Sequence, residues 1–345
     1  MSIQRYELAS DNTAGICPEA WAALAETAPS YGEDQWTRRV CDLTREIFET
    51  DCEVFVVFNG TAANSLALAQ LCRPFHSILC HEQAHIEVDE CGGPELLSGG
   101  AKLIPTRGVD GKLDLAEVAA AIEKQRELHS PKPHALSITQ ATELGTVYTR
   151  AELGAIAEFA RARSLKLHMD GARFANAIVS LGCAPREITW KLGIDVLCFG
   201  GTKNGTGGGE LVVFFDKELA YEFDYRAKQA GQLASKMRFL SAPWAGLLRD
   251  NVWLKNARQA NASAAFLEKQ LREVAGFEPA FPREANAFFL RLPEALVRQL
   301  HARGWHFYKF LEPDIYRLMC SWNVREELLK EFIADVSELA RPTTR

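Results

Sequence analysis

Three short polar clusters in this sequence hold residue types that could do covalent chemistry: NGT at 59–61, DGAR at 170–173 and GGTKN at 200–204. The last lies in FGGTKNGTGGGE, residues 199–210, where one lysine, Lys203, is surrounded by glycine. Glycine loses more conformational freedom on folding than any other residue, so such a run marks a tight turn or a close approach to a ligand. A lysine removed from water loses basicity and can attack a carbonyl to form a Schiff base. Asp170, 33 residues earlier, follows the apolar run LKLHM. A carboxylate at a buried strand end needs a cationic partner; Arg173, a loop lysine or a protonated heterocycle would each serve. Asn59, Gly60 and Thr61 precede an alanine- and leucine-rich helical pattern. Free amides at a helix N-terminus attract phosphate, and the Thr61 hydroxyl adds a donor, although the same residues also suit a plain helix cap. One cofactor uses all three clusters. Pyridoxal phosphate needs a phosphate cradle, an acid against its ring nitrogen and a lysine on its aldehyde.

Two other motifs compete less well. HEQAH, residues 81–85, spells HExxH, which on a helix pairs two zinc ligands with a general base. It follows the strand-like SILC directly, has no amphipathic helix centred on it and no evident third ligand, so a zinc hydrolase is the weaker reading and no metal is expected. GxxxxGK[ST] is absent, and the glycine run lacks the last glycine of GxGxxG and comes too late for a first strand–helix turn.

The clusters need a scaffold that brings them together. Apolar runs at VFVVF (54–58), SILC (77–80), AKLIP (101–105), HALSIT (134–139), LKLHM (165–169), DVLCF (195–199) and ELVVFF (210–215) alternate with helical patterns, including a charged one at 114–128. Continuous apolar strands separated by helices predict an α/β fold with a mostly parallel sheet covered on both faces. The link between DVLCF and ELVVFF is too short for a helical crossover, so that pair is expected to be antiparallel. In such sheets ligands bind beyond the carboxyl ends of the strands, where all three clusters fall. After about residue 240 a long helical run (245–275), NAFFLRL, a second helical stretch, IYRLMCSW and a last helix near 325–340 suggest a smaller α/β domain. The expected division is an N-terminal arm (1–20), a large cofactor-binding domain (21–245) and a small C-terminal domain (246–345).

With 345 residues, 47% hydrophobic and 24% charged, the chain is long enough for a sizeable core. A net charge of −6 and a pI near 5.8 argue against a general nucleic-acid binder. No run approaches the roughly 18 apolar residues of a membrane span, and MSIQRYELASDN has no signal-peptide core, so neither a membrane nor export is expected. The nine cysteines are dispersed with no CxxC, as in a cytoplasmic protein with reduced thiols.

YGED (31–34), the NGT turn, HIEVDECGG (85–93), LHMDGARFANA (167–177) and FGGTKNG (199–205) together resemble the threonine aldolases, pyridoxal-phosphate lyases of the aspartate-aminotransferase-like fold. SITQATELGTVY and KQAGQLASKMRFLSAPW are similar to the bacterial low-specificity L-threonine aldolase branch in particular. The resemblance implies retro-aldol cleavage of threonine, allo-threonine and related β-hydroxy-α-amino acids to glycine and an aldehyde, with β-elimination on the same scaffold as the alternative. It implies that Lys203 carries the cofactor, Asp170 pairs with its ring nitrogen, and Gly60 and Thr61 hold its phosphate with help from Arg238. His85 would stack on the ring, and His85 and His129 are the implied bases. Ser10, Arg173 and Arg317 would grip the substrate carboxylate, and Tyr31 would lie near the site, reaching it from a neighbouring subunit of a tetramer built from dimers. Without the resemblance, Arg317 reads as an edge-strand charge and His129 as a solvated helix end. TGGGE follows the lysine motif where the branch carries larger residues, a departure expected to loosen the lysine loop.

Overall fold

The computed structural model describes residues 4–25 and 28–340. Residues 1–3 of the expected arm, 26–27 of the expected large domain and 341–345 of the small one lie outside the described residues.

The seven apolar runs form one seven-stranded sheet: β1 (Glu53–Val57), β2 (His76–His81), β3 (Lys102–Thr106), β4 (Lys132–Thr139), β5 (Lys166–Gly171), β6 (Val196–Phe199) and β7 (Glu210–Phe214), in the order β1-β7-β6-β5-β4-β2-β3. From β6 to β3 every neighbouring pair is parallel. β7 runs against both β6 and β1, as the short link before it requires. All residues of β2, β6 and β7 are buried, which is why these strands read as unbroken apolar runs. Alternate side chains feed two cores. Leu197, Phe199, Leu211 and Val213 face one side, with Phe48 and Ile156 from its covering helices. Val196, Cys198, Val212 and Phe214 face the other, with Leu66 and Leu68 of the helix Gly60–Leu71.

A second sheet, β8 (Ala287–Arg291), β9 (Tyr308–Leu311) and β10 (Ile315–Met319), is antiparallel in the order β8-β10-β9. Its core includes Phe288, Leu318 and Phe332. β9 is absent from the sequence reading: YKFL is half exposed and carries a lysine, so its apolar signal is weak. The helical run expected over 245–275 divides into Arg238–Leu248 and Val252–Ala275, with Asp250 (φ 51°) and Asn251 (φ 57°) left-handed between them. The N-terminal segment ties the two sheets together. Leu8 accepts from the Met319 amide with its carbonyl, and the Cys17 amide donates to the Gly205 carbonyl beside the lysine loop. Among the described residues no helix is long and apolar enough to cross a membrane.

Candidate active site

The carboxyl ends of β1, β2, β4, β5 and β6 meet at a cavity of about 200 Å³ whose lining includes Asn12, Gly60, Thr61, Asn64, His85, Thr139, Glu143, Asp170, Arg173, Lys203 and Glu210. Its floor begins at the helix Gly60–Leu71. Asn59 caps that helix: its Oδ1 accepts from the Ala62 amide at 2.9 Å and its carbonyl from the Ala63 amide at 3.0 Å. The first amides of a helix have no acceptor within it, so those of the cavity-lining Gly60 and Thr61 need one from outside the helix. A Cβ on Gly60 would meet nothing within 4 Å, so glycine leaves open the space where an anion would approach them.

Asp170 ends β5 and is 4% exposed. Its Oδ1 accepts from the Ala172 amide at 2.9 Å and its Oδ2 from Asn64 Nδ2 at 2.8 Å. The same Asn64 nitrogen donates to Glu90 Oε1 at 2.8 Å, and that oxygen lies 2.9 Å from His85 Nδ1. Burial pushes the Asp170 carboxyl up, but His85, the Ala172 amide and Lys203 outweigh it and leave it below the usual range. The Glu90 hydrogen bond raises His85, against burial, with Asp170 adding to the rise. His85 therefore holds its proton more tightly than a free imidazole.

Lys203 stands in a short turn, Thr202–Asn204, just past β6. Burial and then Arg173 lower its ammonium below the ordinary lysine value. Three hydrogen bonds hold the turn around it. The Gly201 amide donates to Glu210 Oε2 at 2.5 Å, Asn204 Nδ2 donates to the Trp253 carbonyl at 2.9 Å, and Asn256 Nδ2 donates to the Asn204 carbonyl at 2.8 Å. Two of the glycines are required by this packing. A Cβ on Gly201 would sit 2.4 Å from the Trp244 ring, and Gly205 adopts φ +121°, a conformation side chains disfavour.

Arg173 does not pair with Asp170. Its Nε and Nη2 donate to Asp11 Oδ2 and Oδ1 at 2.8 and 3.0 Å, forming a buried fork–fork pair. Arg317, on β10, donates from Nη2 to the Ala9 carbonyl at 3.5 Å and lies over the Phe310 ring, while its Nε is buried without a partner among the described residues. Burial, then Arg173, lower its guanidinium to about 10. Ser10 is one residue from this pair and accepts from the Asn12 amide at 3.2 Å, beside the cavity.

Six expected site residues, Gly60, Thr61, His85, Asp170, Arg173 and Lys203, thus line one cavity. The others are not brought into it by this chain. Arg238 opens the helix Arg238–Leu248 with its guanidinium 4.7 Å from the Phe239 ring. Tyr31 is 52% exposed under Lys228. His129 is exposed just before β4, so the whole 8-residue strand, roughly 25 Å, separates it from the cavity end. HEQAH is no helix: His81 belongs to β2 and accepts the Gln83 amide on Nδ1 at 3.0 Å, while His85 begins the separate turn His85–Val88. Its two histidines do not share a helix face. His85, Glu90 and Asp170 do come within 4.8 Å of one another, but the Asn64 and Glu90 hydrogen bonds account for that closeness.

Sequence reasoning passed over Asp11, Asn64, Glu90, Glu143 and Glu210. Asn64 had a signal, as a polar residue within the apolar run AANSLALAQL. Glu143 had another, as an acid just past the carboxyl end of a buried strand.

Residues 7–294 match the family described as beta-eliminating lyase. The chain is 53% identical over 340 residues to the low specificity L-threonine aldolases of Pseudomonas sp. (strain NCIMB 10558) and Pseudomonas aeruginosa, covering 97% of this chain and 98% of each relative. It is 30% identical over 321 residues to that of Escherichia coli K12, covering 92% of both. The solved structure of Leishmania major threonine aldolase superimposes with a TM-score of 0.91 at 27% identity, covering 96% of this chain and 99% of that one.

Proposed function

Since the chain belongs to the beta-eliminating lyase family and, within it, to the low-specificity L-threonine aldolases, we propose that it cleaves L-threonine, L-allo-threonine and related β-hydroxy-α-amino acids to glycine and an aldehyde, using pyridoxal 5'-phosphate. The observation that carries the cofactor is the convergence of a buried lysine, an ionised buried carboxylate and open helix amides on one cavity.

The residues fit the group. Gly60 and Thr61 would receive its phosphate, with Arg238 assisting, Asp170 would meet its ring nitrogen and Lys203 its aldehyde. When bound, the cofactor supplies an aldehyde that takes the substrate's amino group and an electron-poor ring that accepts the electron pair of the broken carbon–carbon bond. Lys203, its basicity reduced by burial, reaches the uncharged amine form more readily than an exposed lysine. Asp170, held ionised by His85 and two hydrogen-bond donors, would keep a proton on the ring nitrogen of a bound cofactor. The flat imidazole of His85, clamped by Glu90, offers a stacking surface. Arg173, Arg317 and Ser10 would bind the substrate carboxylate. Asp11 neutralises one of the two guanidiniums, so a single carboxylate matches the remaining charge.

The protein would act in the cytoplasm, a reading supported by nine free thiols. It would act as a tetramer built from dimers. Phe58 and Val88, next to the cavity residues Asn59 and His85, are 61% and 56% exposed and suit coverage by a second copy, as does Tyr31. His129 could act as a base only if such a copy supplied it.

Product analysis tests the reaction. Threonine should give glycine and acetaldehyde, and 2-aminobutyrate, which lacks the hydroxyl, should bind without being cleaved. Accumulation of 2-oxobutanoate and ammonia from threonine would instead establish elimination.

A further inference from the structure

We propose that Glu143 is the group that accepts the substrate's β-hydroxyl proton. This rests on the aldolase reading and adds a residue to it. Glu143 lies just past the carboxyl end of β4 and lines the cavity with Thr139, His85 and Asp170. One of its oxygens is fully engaged. Oε1 accepts from the His85 amide and from Thr139 Oγ1, both at 2.8 Å, which fixes the plane of the carboxyl. The other, Oε2, is buried and has no hydrogen-bond partner among the described residues. A buried oxygen left without a donor is costly, so such an atom on a cavity-lining residue marks a place where a ligand completes the bond.

The chemistry of that missing partner is constrained. An ionised carboxylate only accepts hydrogen bonds, so the ligand must bring a donor. With Asp170 close by, a phosphate or carboxylate would be repelled. The substrate's amino group is directed to the place of Lys203, which leaves its hydroxyl as the donor for Oε2. His85 is a poorer acceptor: its Nδ1 is committed to Glu90, which also raises its proton affinity, and its Nε2 lies 3.8 Å from Asp89 Oδ2.

The groups facing Glu143 are Asp170 and Arg173 at the end of β5, His85 after β2, Cys80 within β2 and Tyr148 beyond the turn. Burial, then Asp170, push its carboxyl up to about 7. A base with that affinity is ionised for about half the molecules at neutral pH and holds the proton it takes. In the step, Oε2 gains the proton as the O–H bond breaks, and the O–H pair becomes the second carbon–oxygen bond of the aldehyde. The Cα–Cβ bond breaks and Cα ends protonated in glycine. One proton leaves oxygen and one joins carbon, so no oxidant or reductant is required.

The test compares wild-type holoenzyme with Glu143→Gln and Glu143→Asp. Glu143→Gln should lose about 10²–10⁴-fold in threonine cleavage, in kcat more than in KM, and should lose the acidic limb near pH 7. Its exchange of a glycine Cα hydrogen for deuterium, which involves no hydroxyl, should stay within a few-fold of wild type with the visible cofactor band retained. Glu143→Asp should recover part of the cleavage. Independently of activity, infrared titration of wild type should show a protonated-carboxyl band disappearing near pH 7, absent from Glu143→Gln. The proposal is overturned if Glu143→Gln cleaves threonine within about threefold of wild type, if cofactor band and glycine exchange vanish together with cleavage, or if no such carboxyl titrates. Failure of the aldolase reading itself would show in wild type, as 2-oxobutanoate from threonine.

Discussion

Replacing Asp11 by asparagine tests the charge balance around the cavity. Asp11 is 1% exposed and binds Arg173 through both oxygens, with Asn286 Nδ2 donating to it at 3.1 Å. Burial raises its carboxyl, but Arg173 and then Lys203 hold it below the ordinary aspartate value. Asp11→Asn keeps the shape, turns an amide donor toward a guanidinium donor and leaves Arg173 without its anion. Removing one partner of a buried pair costs about 3–5 kcal/mol. For 345 residues at about 2.1 cal/mol/K each, the unfolding entropy is roughly 0.7 kcal/mol/K, so the midpoint should fall by about 4–7 °C in calorimetry at pH 7. A carboxylate ligand that replaces the lost anion should narrow the gap, because saturating glycine bound about tenfold more tightly by the variant returns about 1.4 kcal/mol more to it than to wild type. The sign with pH follows. A carboxyl with a depressed native pKa stabilises above its unfolded value and loses that contribution as pH falls through its native value, so the two proteins should converge in acid. A midpoint within about a degree of wild type, with the same response to glycine, would refute this account of the site's charge.

Lys203→Ala should abolish the yellow cofactor colour and multiple turnover while preserving the fold by circular dichroism; a retained borohydride-fixed adduct would identify another lysine as the anchor. Asp170→Asn should still bind cofactor but lower kcat by orders of magnitude, since an amide cannot hold the ring proton, and near-normal turnover would dismiss that role. His81→Ala should cost stability, about 1 kcal/mol for the lost bond to the Gln83 amide, and spare activity, whereas His85→Ala should damage it. Equal losses at both, restored by added zinc, would revive the HEQAH site.

Local sequence determined the strands and the chemistry at their ends. The apolar runs ILC (78–80) and VLCF (196–199) are unbroken because both faces of β2 and β6 are covered, and the short link after DVLCF permits only an antiparallel return. Lys203, Asp170 and the Asn59 cap were legible because each stands at a strand's carboxyl end, where the topology itself creates a binding crevice. The partners of these residues were not legible. Asp11 and Arg173 are 162 positions apart, and Asn64 and Asp170 are 106, so no local pattern announces either pair. The kink at Asp250 and Asn251 was hidden by continuous helical composition on both sides. The lysine turn reads only as glycine-rich in the sequence, yet Trp244 and Asn256 arrive from elsewhere, and Glu210 from the far end of the same segment, to hold it. Tertiary packing alone decided which acid would be ionised. Asp170 gains His85 and two donors, while Glu143, buried beside Asp170, keeps one oxygen without a donor and a raised proton affinity.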